Sequence, residues 1–236
     1  DDANDLRLQD AVVLKNIFYH YPISGNFEVN NIDILIKRGT TIGIFGASGS
    51  GKSTLVNIFL GLLVPSKGNI YIDNKNVHDY LRSWQNNIGY VPQSIFLADD
   101  SIRKNIAFGV PLDEIDNVAL NKAIQNAQLE EFIDNQPKNV DTIIGENGVR
   151  ISGGQRQRIG IARALYHNPS ILVFDEATSS LDAFTEREIT KTINSLHGLK
   201  TILIIAHRLT TLEQCDYLYK LKNGTIMAQG TPKELL

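Results

Sequence analysis

The chain has one cysteine, Cys215, in 236 residues. That excludes an internal disulfide and a cysteine-based metal site, and it fits a reducing compartment. A lone cysteine of this kind is most simply a small buried apolar residue. No dense block of lysine and arginine occurs, and the formal net charge is −3, so the electrostatic footprint of a nucleic-acid binder is missing. No apolar run approaches the ~18 residues of a membrane span. The start, Asp1-Asp2-Ala3-Asn4-Asp5, has neither the basic nor the apolar region of a secretory leader. Internal repeats and low-complexity segments are also missing.

What is present is an ordinary α/β composition, 42% hydrophobic and 21% charged, long enough for one large core or two small lobes. Val12 to Tyr21 and Phe27 to Ile36 alternate apolar and polar residues, the period of half-buried strands. Thr41 to Phe45 is a short strand that runs into a glycine-rich turn, and helical spacing follows from Lys52 through Leu55, Ile58, Phe59 and Leu62. Gly68 to Val77 predicts two short strands about Asp73-Asn74-Lys75, and Ile88 to Val91 another that ends at Pro92. From about Ser94 to Tyr166 the period turns helical, with Ile115, Val118, Ala119, Ile124 and Ala127 on one expected helix and Leu129, Phe132 and Ile133 on a shorter one. Ile171 to Phe174 and Thr201 to Ala206 are continuous apolar strands, separated by a helix over Asp182 to Leu196 that Gly198 closes. Strands alternating with helices imply a covered parallel sheet. Asn223-Gly224, between Tyr217 to Leu221 and Thr225 to Ala228, signals a type I′ hairpin.

Three segments carry chemistry. Gly46-Ala47-Ser48-Gly49-Ser50-Gly51-Lys52-Ser53-Thr54 matches GxxxxGK[ST] between a strand and a helix. Its glycines let the backbone wrap a phosphate with the amides turned inward, and the helix N-terminus adds partial positive charge. Lys52 is placed to reach the β- and γ-phosphates and the Ser53 hydroxyl to hold Mg²⁺. Ile171-Leu172-Val173-Phe174-Asp175-Glu176 ends an apolar strand in two carboxylates. Beside a phosphate loop, Asp175 suits the metal and Glu176 suits orienting or deprotonating water. Ser152-Gly153-Gly154-Gln155 opens a helix running through Ile159, Ala162 and Leu165, with Ser152 as N-cap and free amides for a second anion.

With GASGSGKST, ISGGQ and ILVFDE in this order, the chain from about Val12 to Leu236 resembles the nucleotide-binding domain of ATP-binding-cassette (ABC) transporters. The resemblance implies an α/β fold: a P-loop NTPase (RecA-like) core over 11–92 and 167–236, an antiparallel β subdomain, and a helical subdomain inserted at 93–166. It implies that Tyr21 stacks on adenine, with Tyr19 a lesser candidate, and that Gln93 touches Mg²⁺ and the attacking water. It also implies that His207 contacts the γ-phosphate and that Asp182, a good helix N-cap in its own right, communicates across a dimer. Thr142 to Gly148, in which Glu146 would face the membrane part, and Ser101 to Gly109 resemble the exporter type. Ile151 stands where most members have leucine, and Gly160 where many have alanine; altered packing is expected from both.

In the family, Ser152, Gly153, Gly154 and Gln155 of one chain complete the ATP site of the other, so a head-to-tail homodimer around two ATP is expected. Residues 1–10 are expected to be a linker remnant from an upstream transmembrane domain of the same chain, and the capping-box pattern Thr231-Pro232-Lys233-Glu234 leads to the expectation of further helix beyond Leu236. The implied place is the cytoplasmic face of a bacterial inner membrane, reached only through that domain. On overall likeness and its Asn/Ile-rich composition the chain is also similar to the cassette of bacterial lipid-linked oligosaccharide flippases of protein N-glycosylation, with other lipid or drug exporters as the alternative. A separate importer ATPase subunit and a non-transport relative are the rival readings. The latter lacks support, since there is neither a long coiled coil before Ser152 nor a second cassette.

Overall fold

The computed structural model describes residues 6–22, 27–145, 151–177 and 181–236. They form two compact units, one from Asp1–Ile88, Ser170–Glu176 and His197–Leu236, the other from Gly89–Pro169 and Ala177–Leu196. Among the described residues no helix is long and apolar enough to cross a membrane.

The first unit holds two sheets. Strands β1 (Ala11–His20), β2 (Phe27–Lys37), β4 (Lys67–Ile72) and β5 (Lys75–Asn76) form an antiparallel sheet in the order β2-β1-β4-β5. Val12 and Leu14 face Ile36 and Ile34 on one side and Ile72 and Ile70 on the other, and all six are buried. The register shifts between Leu14 and Ile17, where Asn16 takes a positive φ of 50°. That bulge returns Ile17 to the buried face, so the strand keeps its core contact although the strict period of two is broken.

Strands β3 (Thr41–Phe45), β7 (Ile171–Asp175), β8 (Thr201–Ile205), β9 (Tyr217–Lys222) and β10 (Thr225–Gly230) are this unit's strands of the second sheet and run in the order β10-β9-β3-β8-β7. Strand β8 pairs parallel with β3 on one side and with β7 on the other. Ile171 to Phe174 and Thr201 to Ile205 are buried throughout, as strands covered on both faces must be. Helix α1 (Lys52–Phe59) buries Leu55, Val56, Ile58 and Phe59. Trp84 on α2 (Leu81–Asn86) is fully buried, stacks edge-on against Phe59 and donates its indole N–H to the Phe59 carbonyl at 2.7 Å. Asn223 and Gly224 have φ of 48° and 73°, the two positive values a type I′ turn requires.

The segment before β1 is packed from Leu6 onward. Leu6 and Leu8 are buried, and the Leu6 N–H donates to Ser83 Oγ at 2.7 Å. The Asp73 carboxylate accepts the amides of Gln9, Asp10 and Ala11 at 2.6, 2.9 and 2.9 Å. Burial raises the cost of charge on Asp73, but those three amides, with Arg38, outweigh it and hold the carboxyl below its usual range.

In the second unit, helices α3 (Ile102–Ile106), α4 (Asn117–Asn126), α5 (Glu130–Asp134), α6 (Gly153–Leu165) and α7 (Ala183–Ser195) are the main elements. One expectation needs correction: Val118 is 78% exposed. Asp116 caps α4 by accepting from the amides of Val118 and Ala119, which starts the helix so that Leu120, Ala123 and Ile124 form its buried face; Ile115 precedes the helix. Asn105, fully buried, ties α3 to the loop before it through the Ala98 amide and the Ala98 and Ser101 carbonyls at 2.9 to 3.0 Å. Arg163 on α6 donates to the carbonyls of Asn105 (2.7 Å) and Phe96 (2.8 Å) and lies 4.8 Å from the Phe108 ring centroid. Gly160 has a local reason too, because a Cβ there would fall 2.5 Å from Ile95 Cδ1.

Candidate functional site

The phosphate loop joins β3 to α1. Gly51 caps the helix in the left-handed region at φ 99°, where an L side chain is strained. At Gly46 the constraint is space, since a Cβ would sit 2.2 Å from the Leu221 carbonyl and 2.9 Å from Ser50 Oγ. The β9–β10 hairpin buttresses the loop: the Gly224 N–H donates to the Ser50 carbonyl at 3.0 Å, and the Asn30 N–H donates to the Gly224 carbonyl at 2.7 Å. The sequence offered only the Asn-Gly turn as a sign of this support, because the contact joins residues far apart in the chain.

Lys52 is 6% exposed. Its ammonium donates to the carbonyls of Gly46 and Ala47, each at 2.9 Å, so it folds back onto the start of the loop. Burial pushes its pKa below the usual lysine range, while the charges of Glu176 and Asp175 pull it partly back. Ser50 Oγ is buried without a hydrogen-bond partner, a polar atom that a phosphate oxygen or a water would satisfy. Ser53 at the first turn of α1 is exposed, and Thr54 is buried. Tyr21 is 38% exposed, meets Tyr19 edge-on at 5.1 Å, and its hydroxyl is 3.5 Å from Thr54 Oγ1.

β7 delivers Asp175 half-buried at its end. Glu176 follows with φ 50°, its amide bonded to the Ile205 carbonyl of β8 at 2.9 Å. A glutamate in the left-handed region is strained. His207, two residues past β8, meets it: Nε2 is 2.7 Å from Glu176 Oε1. Two adjacent parallel strands thus bring a carboxylate and an imidazole together at 2.7 Å, an arrangement with the chemistry to orient and deprotonate water.

The other expected residues belong to the second unit. Gln93 is exposed. Ser152 caps α6 in a reciprocal box, with Gln155 N–H to Ser152 Oγ at 3.2 Å and Ser152 N–H to Gln155 Oε1 at 2.9 Å. Asp182 caps α7 by accepting the amides of Phe184 and Thr185 at 3.0 Å and the Thr185 hydroxyl at 2.6 Å; these bonds, the hydroxyl first, hold its carboxyl below the usual range. Glu146 lies outside the described residues. Asn105 and Arg163, which fasten α6 to the segment after β6 (Ile88–Val91), are contributors that periodicity does not single out.

A sequence profile described as "ABC transporter" matches residues 29–179. The chain belongs to the ABC transporter family. It has the ABC ATPase fold and is an exporter-type, ATP-binding ATPase domain of that family. An ATP-dependent lipid A-core flippase of Ralstonia nicotianae is 40% identical over 232 residues, which is 98% of this chain and 39% of that protein. The flippase of the same name from Coxiella burnetii is 41% identical, with the same coverage. A solved structure of a bacterial Atm1-family ABC exporter with ATP bound superposes with a TM-score of 0.87 at 34% identity, covering 98% of this chain and 40% of that one. The ABC domain therefore spans about two-fifths of the length of these relatives.

Proposed function

We propose that this ABC domain closes on a second copy of itself around two ATP molecules, hydrolyses them, and so drives a transmembrane domain of the same full-length chain through an export cycle. The observation that carries this reading is the Glu176–His207 pair at 2.7 Å beside a loop whose lysine is buried. Lys52 and the loop amides hold the β- and γ-phosphates, Tyr21 supports the adenine, and Glu176, kept in place by His207, takes the proton of the attacking water. Ser152, Gly153, Gly154 and Gln155 serve the ATP of the partner, and Asp182 carries the closure across the dimer. The hydroxyl of Ser53 and the carboxylate of Asp175 are hard oxygen donors that fit Mg²⁺, and the amide oxygen of Gln93 is a donor of the same kind; the ion, when bound, would neutralise charge on the phosphates.

The domain would work at the cytoplasmic face of a bacterial inner membrane. The names of the relatives favour a lipid cargo, and a lipid-linked oligosaccharide falls within that class; drug export is the alternative. Glu176→Gln should leave ATP binding intact, lower turnover by on the order of 10²- to 10⁴-fold and trap an ATP-dependent dimer on size-exclusion chromatography. A variant that remains monomeric in saturating ATP would sink the sandwich. Translocation of a labelled lipid-linked glycan by the full-length protein in proteoliposomes tests the cargo.

A further inference from the structure

Why the second glycine of the signature must be a glycine has a local answer within the second unit. A Cβ on Gly154 would lie 2.6 Å from Thr185 Cγ2, while Thr185 Cβ and Oγ1 stand at 3.9 Å. Thr185 belongs to the first turn of α7, and its rotamer is fixed: Oγ1 donates to Asp182 Oδ2 at 2.6 Å while the Thr185 amide donates to Oδ1. Rotating the methyl away from Gly154 breaks the hydroxyl bond that helps Asp182 cap the helix. Gly153 makes a looser version of the same contact, its Cβ position being 3.3 Å from Leu181 Cδ2. The start of α6, which presents Ser152, and the start of α7, which presents Asp182, therefore meet most tightly at the Thr185 methyl, where Gly154 has no room for a Cβ.

We propose that Thr185 is a positioning residue: its methyl seats against Gly154 and its hydroxyl holds Asp182, so that the signature amides and the Asp182 turn move as one block. The consequence rests on the sandwich reading above. A displacement of Asp182 by the partner is transmitted to the signature of the same chain without any contact to the nucleotide in its own phosphate loop. Close packing allows this, because packed contacts are bistable rather than continuously deformable.

The test is a steric rescue. In the 236-residue chain, Gly154→Ala should lower the kcat of ATP hydrolysis by on the order of 10²-fold, the cost of misplacing preorganised amides. Binding of a fluorescent ATP analogue to its own phosphate loop should stay unchanged. Adding Thr185→Ser removes Cγ2 and keeps the hydroxyl, and should restore at least about tenfold of the loss, a coupling that independent sites do not show. Should Gly154→Ala fail to fold by thermal melting, Thr185→Leu crowds the same contact from the other side and should depress kcat with nucleotide affinity retained. Additive effects of Gly154→Ala and Thr185→Ser, or undiminished turnover in Gly154→Ala, overturn the proposal. If Glu176→Gln still dimerises in ATP while the rescue fails, only the positioning role falls; if Glu176→Gln never dimerises, the sandwich falls first.

Discussion

Replacing Arg163 with lysine keeps the charge and most of the stem but should loosen the helix that carries the signature. The guanidinium donates two short bonds to the carbonyls of Asn105 and Phe96 and a longer one, 3.3 Å, to Asn105 Oδ1, and it stacks on Phe108. A hydrogen bond to a charged group contributes roughly 1.5–3 kcal/mol net. Half-exposure puts these at the low end, so the two short bonds contribute about 3 kcal/mol, and the stacking adds about 0.5–1 kcal/mol. Arg163→Met, which keeps the apolar stem, should therefore cost the second unit about 3–4 kcal/mol. An ammonium is a point donor that serves one carbonyl well and lacks the planar fork for both, so Arg163→Lys should lose about half of that. At 2–4 °C per kcal/mol for a chain of this size, the melting transition of the lysine variant falls by about 3–8 °C. The probe matters, because the only tryptophan, Trp84, lies in the first unit and its fluorescence reports there. Hydrogen exchange over 94–108 and 153–165 reads the affected contacts directly and should show faster exchange in both segments. Protection in Arg163→Lys equal to wild type, within about 0.5 kcal/mol, would refute the assignment of this stability to the forked contact.

Two further outcomes follow from titratable groups. The folded pKa of Asp73 is depressed by the amides of Gln9, Ala11 and Asp10, so its contribution is present above the unfolded value of about 3.9 and is lost as pH falls through the lower folded value. Trp84-monitored urea unfolding should show Asp73→Asn less stable than wild type at pH 7, with the gap closing below about pH 4; a gap that persists in acid counts against the clip. Cys215 is buried, and its thiol is pushed up to about 12, chiefly by burial with help from Asp216. A thiol-specific reagent at pH 8 should leave it untouched in the native chain and label it fully in denaturant; prompt native labelling would contradict the burial.

Legibility followed the range of each signal. Continuous apolar runs marked the parallel strands, and Thr41 to Phe45 and Ile88 to Val91 stand where the pattern put them. The strand, glycine-rich turn and helix about Lys52, the Asp175-Glu176 pair at the end of β7 and the cap at Ser152 are local in sequence and stand where the pattern puts them. Val118 departs from the expected face because its position relative to the Asp116 cap, not its hydrophobicity, decides which way it faces. The packing of Leu6 and Leu8 depends on Asp73 and Ser83, far along the chain, and no local period announces it. The seating of Gly154 on Thr185 was invisible for the same reason: two residues that each fit a local motif are joined only by tertiary contact.

The placement of β3 has a consequence for synthesis. Its two neighbours in the sheet, β8 and β9, begin at Thr201 and Tyr217, and the hairpin that braces the loop after it ends at Gly230. A nascent chain that has made the whole phosphate-loop segment still has neither edge of that strand paired. Pairings of such sequence separation form late and leave apolar strands waiting. Nucleotide binding should therefore await these strands, and a ribosome-tethered chain should acquire it only once the β9–β10 hairpin, through Gly230, has emerged.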